Sequence, residues 1–127
     1  YVENQILNCY LNQTNITAPT NIYLGLHTAD PTDAGSGAEC SGSGYARVEI
    51  TDKFSAASGT GGSISSNADI TGFTASGGAW GTVTHIGIYD ASTSGNLLFH
   101  TALDSSAAVN DGDSFQISSG NLTVTVA

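Results

Sequence analysis

The fold is decided by residues 82–89, which read Thr-Val-Thr-His-Ile-Gly-Ile-Tyr. Ile86 and Ile88 alternate here with His85 and Gly87, so apolar side chains fall on every second position. Side chains of a β-strand point to opposite faces in turn, and this two-residue period predicts a strand with one buried face. The stretch therefore predicts a β fold, and the rest of the chain can be interpreted outward from it.

The same alternation recurs in short runs on both sides of this strand. Further strands are predicted at residues 21–28, 45–51, 68–73 and 97–103, and at the end of the chain, where Leu122, Val124 and Val126 alternate with threonine. Between them lie turn-forming segments, with residues 55–66 as a flexible Ser/Gly tract and Asn-Asp-Gly-Asp at residues 110–113 as the sharpest turn. About seven to eight short strands with such turns predict a mainly β protein, an antiparallel β-sandwich of jelly-roll-like form.

The first dozen residues follow a different period. Apolar side chains recur there at spacings of three and four residues, at Val2, Ile6, Leu7, Tyr10 and Leu11. This spacing predicts a short amphipathic helix over residues 1–12, which precedes a β domain over residues 20–127 in a single-domain chain of residues 1–127. A helix of this length is marginal alone in water and must bury its apolar stripe. Two alternatives are open: the helix caps the open end of its own sandwich, or it docks onto a neighbouring subunit.

The charged residues of the chain are few and mostly acidic. They make up 10% of the sequence, and 11 acidic against 2 basic side chains give a formal net charge of −9. Binding to nucleic acid requires basic side chains that neutralise phosphates, and attraction to an anionic membrane surface requires them as well. We therefore expect neither nucleic acid nor a membrane as a partner. No apolar run approaches the length of a transmembrane helix.

The sequence shows no pattern typical of a catalytic or metal-binding site. The histidines, His27, His85 and His100, lack the local spacings of a zinc site, and the aspartates lie in turns without the ligand spacing of an EF-hand. His85 and His100 can lie near each other only if residues 82–89 and 97–103 form neighbouring strands. The serines lie in Gly-rich loops without a Gly-x-Ser-x-Gly signature. We predict no catalytic residue, no metal and no cofactor, and hence a non-enzymatic protein.

The two cysteines, Cys9 and Cys40, are far apart in the sequence and show no disulfide framework. They can form one disulfide if the helix packs on the long loop of residues 29–44. The alternative, which we favour, is two independent thiols.

Five stretches taken together resemble a known family. They are residues 24–35, 44–48, 80–90, 95–98 and 112–124, the first reading Leu-Gly-Leu-His-Thr-Ala-Asp-Pro-Thr-Asp-Ala-Gly and the third Trp-Gly-Thr-Val-Thr-His-Ile-Gly-Ile-Tyr-Asp. In this order, and with the short N-terminal helix before them, they are similar to small tailed-phage virion proteins that are usually labelled phage tail fibre protein or phage structural protein. The resemblance covers nearly the whole chain and implies a virion structural protein.

The resemblance leaves the place on the particle open. We favour a capsid decoration (cement) protein at the particle surface, with a tail-fibre or tail-associated subunit as one alternative. The other alternative is a carbohydrate- or receptor-binding module with Trp80, Tyr45 and Tyr89 as exposed aromatic contacts, although core packing is the simpler role for these side chains. Expected partners are other copies of the chain, as a trimer, and the major capsid protein or tail proteins, after assembly in the cytoplasm of the bacterial host. The candidate interaction residues are the helix stripe and Trp80.

Overall fold

The computed structural model describes residues 1–126, and within them the chain forms one α-helix followed by eight β-strands. The helix is α1, Val2–Leu11, and the strands are β1 Tyr23–His27, β2 Val48–Glu49, β3 Ser63–Ser65, β4 Ile70–Thr74, β5 Gly81–Tyr89, β6 Leu97–Val109, β7 Ser114–Ile117 and β8 Thr123–Thr125. The strand pairs are antiparallel, which confirms the predicted mainly β, antiparallel fold. Ala127, the last residue of the predicted β domain, lies outside the described residues. Among the described residues, no helix has the length and apolar character needed to cross a membrane.

Four strands form the main sheet in the order β2-β1-β5-β6, so the stretch that predicts the fold, β5, is a central strand. The register places Leu24 opposite Ile88 and Leu26 opposite Ile86. These four side chains share one face of the sheet because alternate positions of a strand point the same way. All four are buried and form one side of the hydrophobic core.

Two separate ribbons, β3-β8 and β4-β7, form the opposite layer of the sandwich. They and the adjoining loops contribute Ile70, Phe73, Phe115 and Leu122 to the same core cluster. The ring of Phe73 lies 6.0 Å from that of Phe115 in an edge-to-face arrangement, which is a favoured geometry for aromatic pairs. The predicted two-layer sandwich is thus present, and its second layer consists of two ribbons rather than one continuous sheet.

Strands β2 and β6 differ from their predicted bounds, and strands β3 and β7 were not predicted. The strand expected at residues 45–51 is reduced to β2, and Tyr45 lies outside the ladder, where its hydroxyl accepts the backbone N–H of Leu26 at 2.9 Å. β3 lies within the tract predicted to be flexible; it pairs with β8, and a hydroxyl contact of 2.7 Å joins Ser65 to Thr123. β6 continues past residue 103 to Val109 because the first residues of β5 pair with its second half.

The turn predicted at residues 110–113 is present. The N–H of Asp113 donates to the carbonyl oxygen of Asn110 at 3.0 Å. The strand that follows, β7, pairs with β4 and not with β6. The chain therefore crosses from the main sheet to the opposite layer at this turn, whereas a simple hairpin would have stayed within one sheet.

Candidate functional site

Helix α1 has a partly buried inner face that borders two open clefts together with the main sheet. Val2 and Ile6 line these clefts together with Leu98 and Phe99 of β6, and all four side chains are partly buried. Side chains one turn apart lie on the same side of a helix, so Val2 and Ile6 mark the face of α1 that is turned toward the clefts. The inner face therefore carries Val2 and Ile6, the first two residues of the predicted apolar stripe.

The outer face of α1 is also apolar, and it points into solvent. Leu7 is 53% exposed, and Tyr10 and Leu11 are each 79% exposed. A surface helix ordinarily turns its polar side chains to water and its apolar ones to the core. The stripe predicted from the sequence is thus divided: Val2 and Ile6 face the sheet, and the other three residues face outward.

The other large hydrophobic side chains that the described residues expose lie beside the same helix. They are Tyr1, Ile16 and Val126, and each lines a cleft next to the inner face of α1. We call the surface formed by Tyr1, Leu7, Tyr10, Leu11, Ile16 and Val126 the helix surface. Single exposed apolar residues are common on proteins, but a concentration of them in one place marks an interaction site. The helix surface is therefore the candidate functional site.

Carboxylates line the clefts beside the helix surface. One cleft, of about 340 Å³, is lined by Glu3 and Asp33, and its neighbour, of about 250 Å³, by Asp90. His100 also lines the first cleft, where its Nε2 lies 3.1 Å from Asp33 Oδ1 and its Nδ1 lies 3.5 Å from Asp30 Oδ1. Within the described part of the chain, neither cleft is lined by a lysine or an arginine.

The loops that carry these carboxylates are joined by the side chain of Arg47. Its Nε and Nη2 donate to the two carboxylate oxygens of Glu39, each at 2.8 Å. Its Nη1 donates to the carbonyl oxygens of Ala91 at 2.9 Å and Ser94 at 2.7 Å, in the loop between β5 and β6. The guanidinium carbon lies 3.5 Å from the centre of the Tyr89 ring. Only 7% of the Arg47 side chain is exposed, so one buried cation connects the loop after β1 to the loop after β5.

Two glycines make room for this cluster on the outer face of the main sheet. Gly25 and Gly87 lie directly opposite each other on β1 and β5. A Cβ at Gly87 would lie 2.9 Å from the Tyr89 ring, and a Cβ at Gly25 would lie 3.0 Å from an oxygen of Glu39. Both distances are shorter than side chains ordinarily allow. The glycine pair therefore forms a hollow that admits the tyrosine ring and the carboxylate.

His27 completes the cluster and is fully buried. Its Nδ1 lies 2.7 Å from the carbonyl oxygen of Gly37, which can only accept, so Nδ1 carries the proton and donates. Its Nε2 then accepts the hydroxyl proton of Tyr89 at 2.9 Å. The neutral ring is fully satisfied by these two bonds.

Burial and charge shift the pKa values of the cluster. Burial lowers the pKa of His27 below its ordinary 6.5, although the hydrogen bond to Gly37 acts in the opposite direction. Burial alone would raise the pKa of Glu39, but hydrogen bonds from Arg47 and Tyr45 outweigh it and hold that pKa below 4.5. The surroundings of the two side chains therefore favour the neutral form of His27 and the ionised form of Glu39.

The aromatic residues named for a carbohydrate-binding module are not exposed contacts. Trp80 is 7% exposed, its ring lies edge-to-face with Tyr45 at 5.3 Å and with Phe73 at 6.4 Å, and its Nε1 donates to the carbonyl oxygen of Ser43. Tyr89 is buried beneath Arg47, and Tyr45 is partly buried. The structure therefore places Trp80 in the core, away from any surface that a partner of the folded chain could reach.

The histidines and cysteines do not form a metal site. β5 and β6 do lie side by side, with His85 opposite Ala102 and His100 opposite Gly87. Among the described residues, no three His, Cys, Asp or Glu side chains are grouped so that they could hold a metal ion. Cys9 and Cys40 are separate free thiols, the first partly buried and the second buried.

The described residues thus form an antiparallel β-sandwich with an exposed apolar helix surface. The Podophage GP4 fiber I protein gp80 family matches residues 1–125, and the chain belongs to this family. The resemblance to small tailed-phage virion proteins is thereby confirmed, and the chain is a phage structural protein. No curated protein matches it.

Replacing the buried cation tests whether Arg47 holds the loops. We expect Arg47→Ala to lower the free energy of unfolding by about 2–3 kcal/mol, because it removes the hydrogen bonds of the guanidinium and leaves the Glu39 carboxylate, whose side chain is 26% exposed, without a counter-ion. Lys53→Ala is the matched control: it removes the same charge from a pair at 3.8 Å in which the partner, Asp52, is 85% exposed, and we expect a loss below about 1 kcal/mol. Urea denaturation measures both. Equal losses for the two variants would contradict the role given to Arg47.

The dependence of stability on pH tests the protonation states of His27 and Glu39. The pKa of His27 is lower in the folded than in the unfolded chain, so the unfolded state binds more protons below pH 6.5. The contribution of His27 to stability is therefore complete above pH 6.5 and is lost as the pH falls through the folded pKa. Glu39 adds a second loss, which begins near pH 4.5.

Urea denaturation at pH values between about 7 and about 5 measures the first of these losses. We expect the wild-type free energy of unfolding to fall over this range, and His27→Gln, which cannot take up the proton, to show a flatter dependence. A variant with the same slope as the wild type would show that His27 is not responsible.

Proposed function

We propose that the chain is a non-enzymatic structural subunit of a phage fibre, exposed at the particle surface and held there by the helix surface. The family description names a fibre protein, and this supports a fibre location over the capsid decoration that the sequence alone favoured. The observation that carries the proposal is the solvent exposure of Leu7, Tyr10 and Leu11 on an otherwise ordered helix.

The two faces of α1 support attachment through the helix. The inner face is partly buried and borders the clefts beside β6, whereas the outer face with Leu7, Tyr10 and Leu11 is exposed and therefore available for docking. Complete burial of an apolar side chain of this size is worth about 1.5–3 kcal/mol, and three such side chains offer enough free energy to offset the ordering that docking requires. A helix that both caps its own sandwich and docks outward combines the two alternatives that the sequence leaves open.

Self-association belongs to the same proposal. β6 is an outer strand of the main sheet, and its outer edge carries backbone groups that no other strand of the described chain pairs with. Closed symmetric assembly covers such edges, and a trimer is the arrangement that we propose. The other partners would be tail proteins of the particle, met during assembly in the bacterial cytoplasm.

The number of copies per particle tests the location. Fibres occur in small symmetric sets, so quantitative mass spectrometry of purified virions should find about a few to a few dozen copies of the chain. Hundreds of copies would favour capsid decoration and contradict the fibre proposal. Complete absence from the virion would contradict both.

Two neighbouring residues of α1 test the attachment. Leu7→Asp changes the exposed face, so the free energy of unfolding should change by less than about 0.5 kcal/mol, while incorporation into virions should be lost. Ile6→Asp changes the face against β6 and should cost about 1–3 kcal/mol of stability. Urea denaturation and mass spectrometry of virions measure the two effects. Normal incorporation of the Leu7→Asp chain would contradict attachment through the helix surface.

A further inference from the structure

We propose that the helix surface docks onto a segment of another virion protein that is both apolar and basic. In this arrangement the apolar side chains of the partner cover Leu7, Tyr10 and Leu11, and its lysine or arginine side chains lie against Glu3 and Asp33. The inference rests on the proposed function and names the chemistry of the partner at the same surface.

The carboxylates stand at one end of the apolar stripe. Glu3 precedes Leu7 by one helical turn on the same side of α1, and Tyr10 and Leu11 follow Leu7 by one more turn. Glu3 also shares the cleft of about 340 Å³ with Asp33, whose side chain is 89% exposed. A partner segment that runs along α1 therefore meets apolar side chains at one end and carboxylates at the other.

Neither basic side chain of the chain lies at this acidic end. Of its two basic side chains, Arg47 is buried against Glu39, and Lys53 lies beside Asp52. His100 contacts Asp30 and Asp33 and carries a charge only when it is protonated. Covering Glu3 without supplying a cation would remove a carboxylate from water uncompensated, which is costly.

This argument separates a basic partner from a second copy of the chain. A second copy docked through the same helix surface would bring the same carboxylates and no lysine or arginine to face them, and the net charge of −9 on each copy opposes the approach. The trimer proposed above uses the edge of β6 and leaves the helix surface free. The charge of the surface thus favours a different, basic chain as its occupant.

The test uses virions that lack this chain, to which the purified full-length chain is added before sedimentation. We expect Glu3→Lys to reduce the bound fraction at limiting concentration by about tenfold, because it places a cation opposite the cations of the partner. Asp52→Lys is the matched control: it makes the same change of charge at a residue outside β6 whose side chain is 85% exposed and lines neither cleft of the helix surface, and binding should stay within about twofold of wild type.

Salt provides a second measurement. Wild-type binding should weaken between about 0.05 and 0.5 M salt, because exposed ion pairs are screened. Leu7→Ser together with Tyr10→Ser should abolish binding at every salt concentration, and circular dichroism of both Lys variants and of this double variant should show the wild-type fold.

The outcomes distinguish this inference from the proposed function. Equal binding of Glu3→Lys and wild-type chains, with loss only in the Leu7→Ser, Tyr10→Ser variant, would overturn the basic partner and leave attachment through the helix surface intact. A dimer of the purified chain that the same double variant abolishes would assign the surface to a second copy. Failure of the wild-type chain to bind these virions would contradict the proposed function and the inference with it.

Discussion

The ion pair between Arg47 and Glu39 is the interaction on which the arrangement of the loops depends. Its cation is nearly enclosed, and the same guanidinium donates to the backbone at Ala91 and Ser94 and lies over Tyr89. Because a cation buried in this way is stable only when every partner is in place, the pair fixes the loop after β1 and the loop after β5 together. Those loops carry Asp33 and Asp90, so the acidic border of the helix surface depends on a contact made on another part of the sheet.

The two central strands of the main sheet could be predicted from the sequence because their apolar side chains alternate, whereas the order of the strands could not. β1 and β5 follow that pattern, and their predicted positions agree closely with the structure. β3 and the second half of β6 could not be predicted in this way, since Ser63, Ser65 and the Ser-Ser-Ala-Ala run at residues 105–108 are held by backbone pairing rather than by apolar side chains. The ion pair was missed for a similar reason: Glu39 and Arg47 carry no recognisable motif, and only the fold brings them to the hollow at Gly25 and Gly87. The sequence did contain one signal for Arg47. The chain has only two basic residues, and Arg47 directly follows the Gly-Tyr-Ala of residues 44–46.

The candidate site was predicted in part. The helical period identified Val2, Ile6, Leu7, Tyr10 and Leu11 as one apolar stripe, but it could not show how the helix is rotated against β6. In the structure, Val2 and Ile6 border the same clefts as Leu98 and Phe99, which are distant in sequence, and this orientation leaves Leu7, Tyr10 and Leu11 exposed. Trp80 illustrates the opposite case, because a single tryptophan is compatible with a sugar contact as well as with the core position that the sequence analysis favoured, until its neighbours are known. Here Tyr45 and Phe73 enclose it.

In this small chain, the residues that stabilise the fold differ from those that we propose for attachment to the particle. The core and the buried ion pair hold the sandwich, while the outer face of α1 contributes nothing to either and remains available to a neighbour in the particle. A structure of the intact virion at side-chain resolution tests this account most directly. The account predicts that Leu7, Tyr10 and Leu11 are buried against a different protein of the fibre, with basic side chains of that protein beside Glu3. A virion in which these three side chains remain exposed to solvent would contradict it.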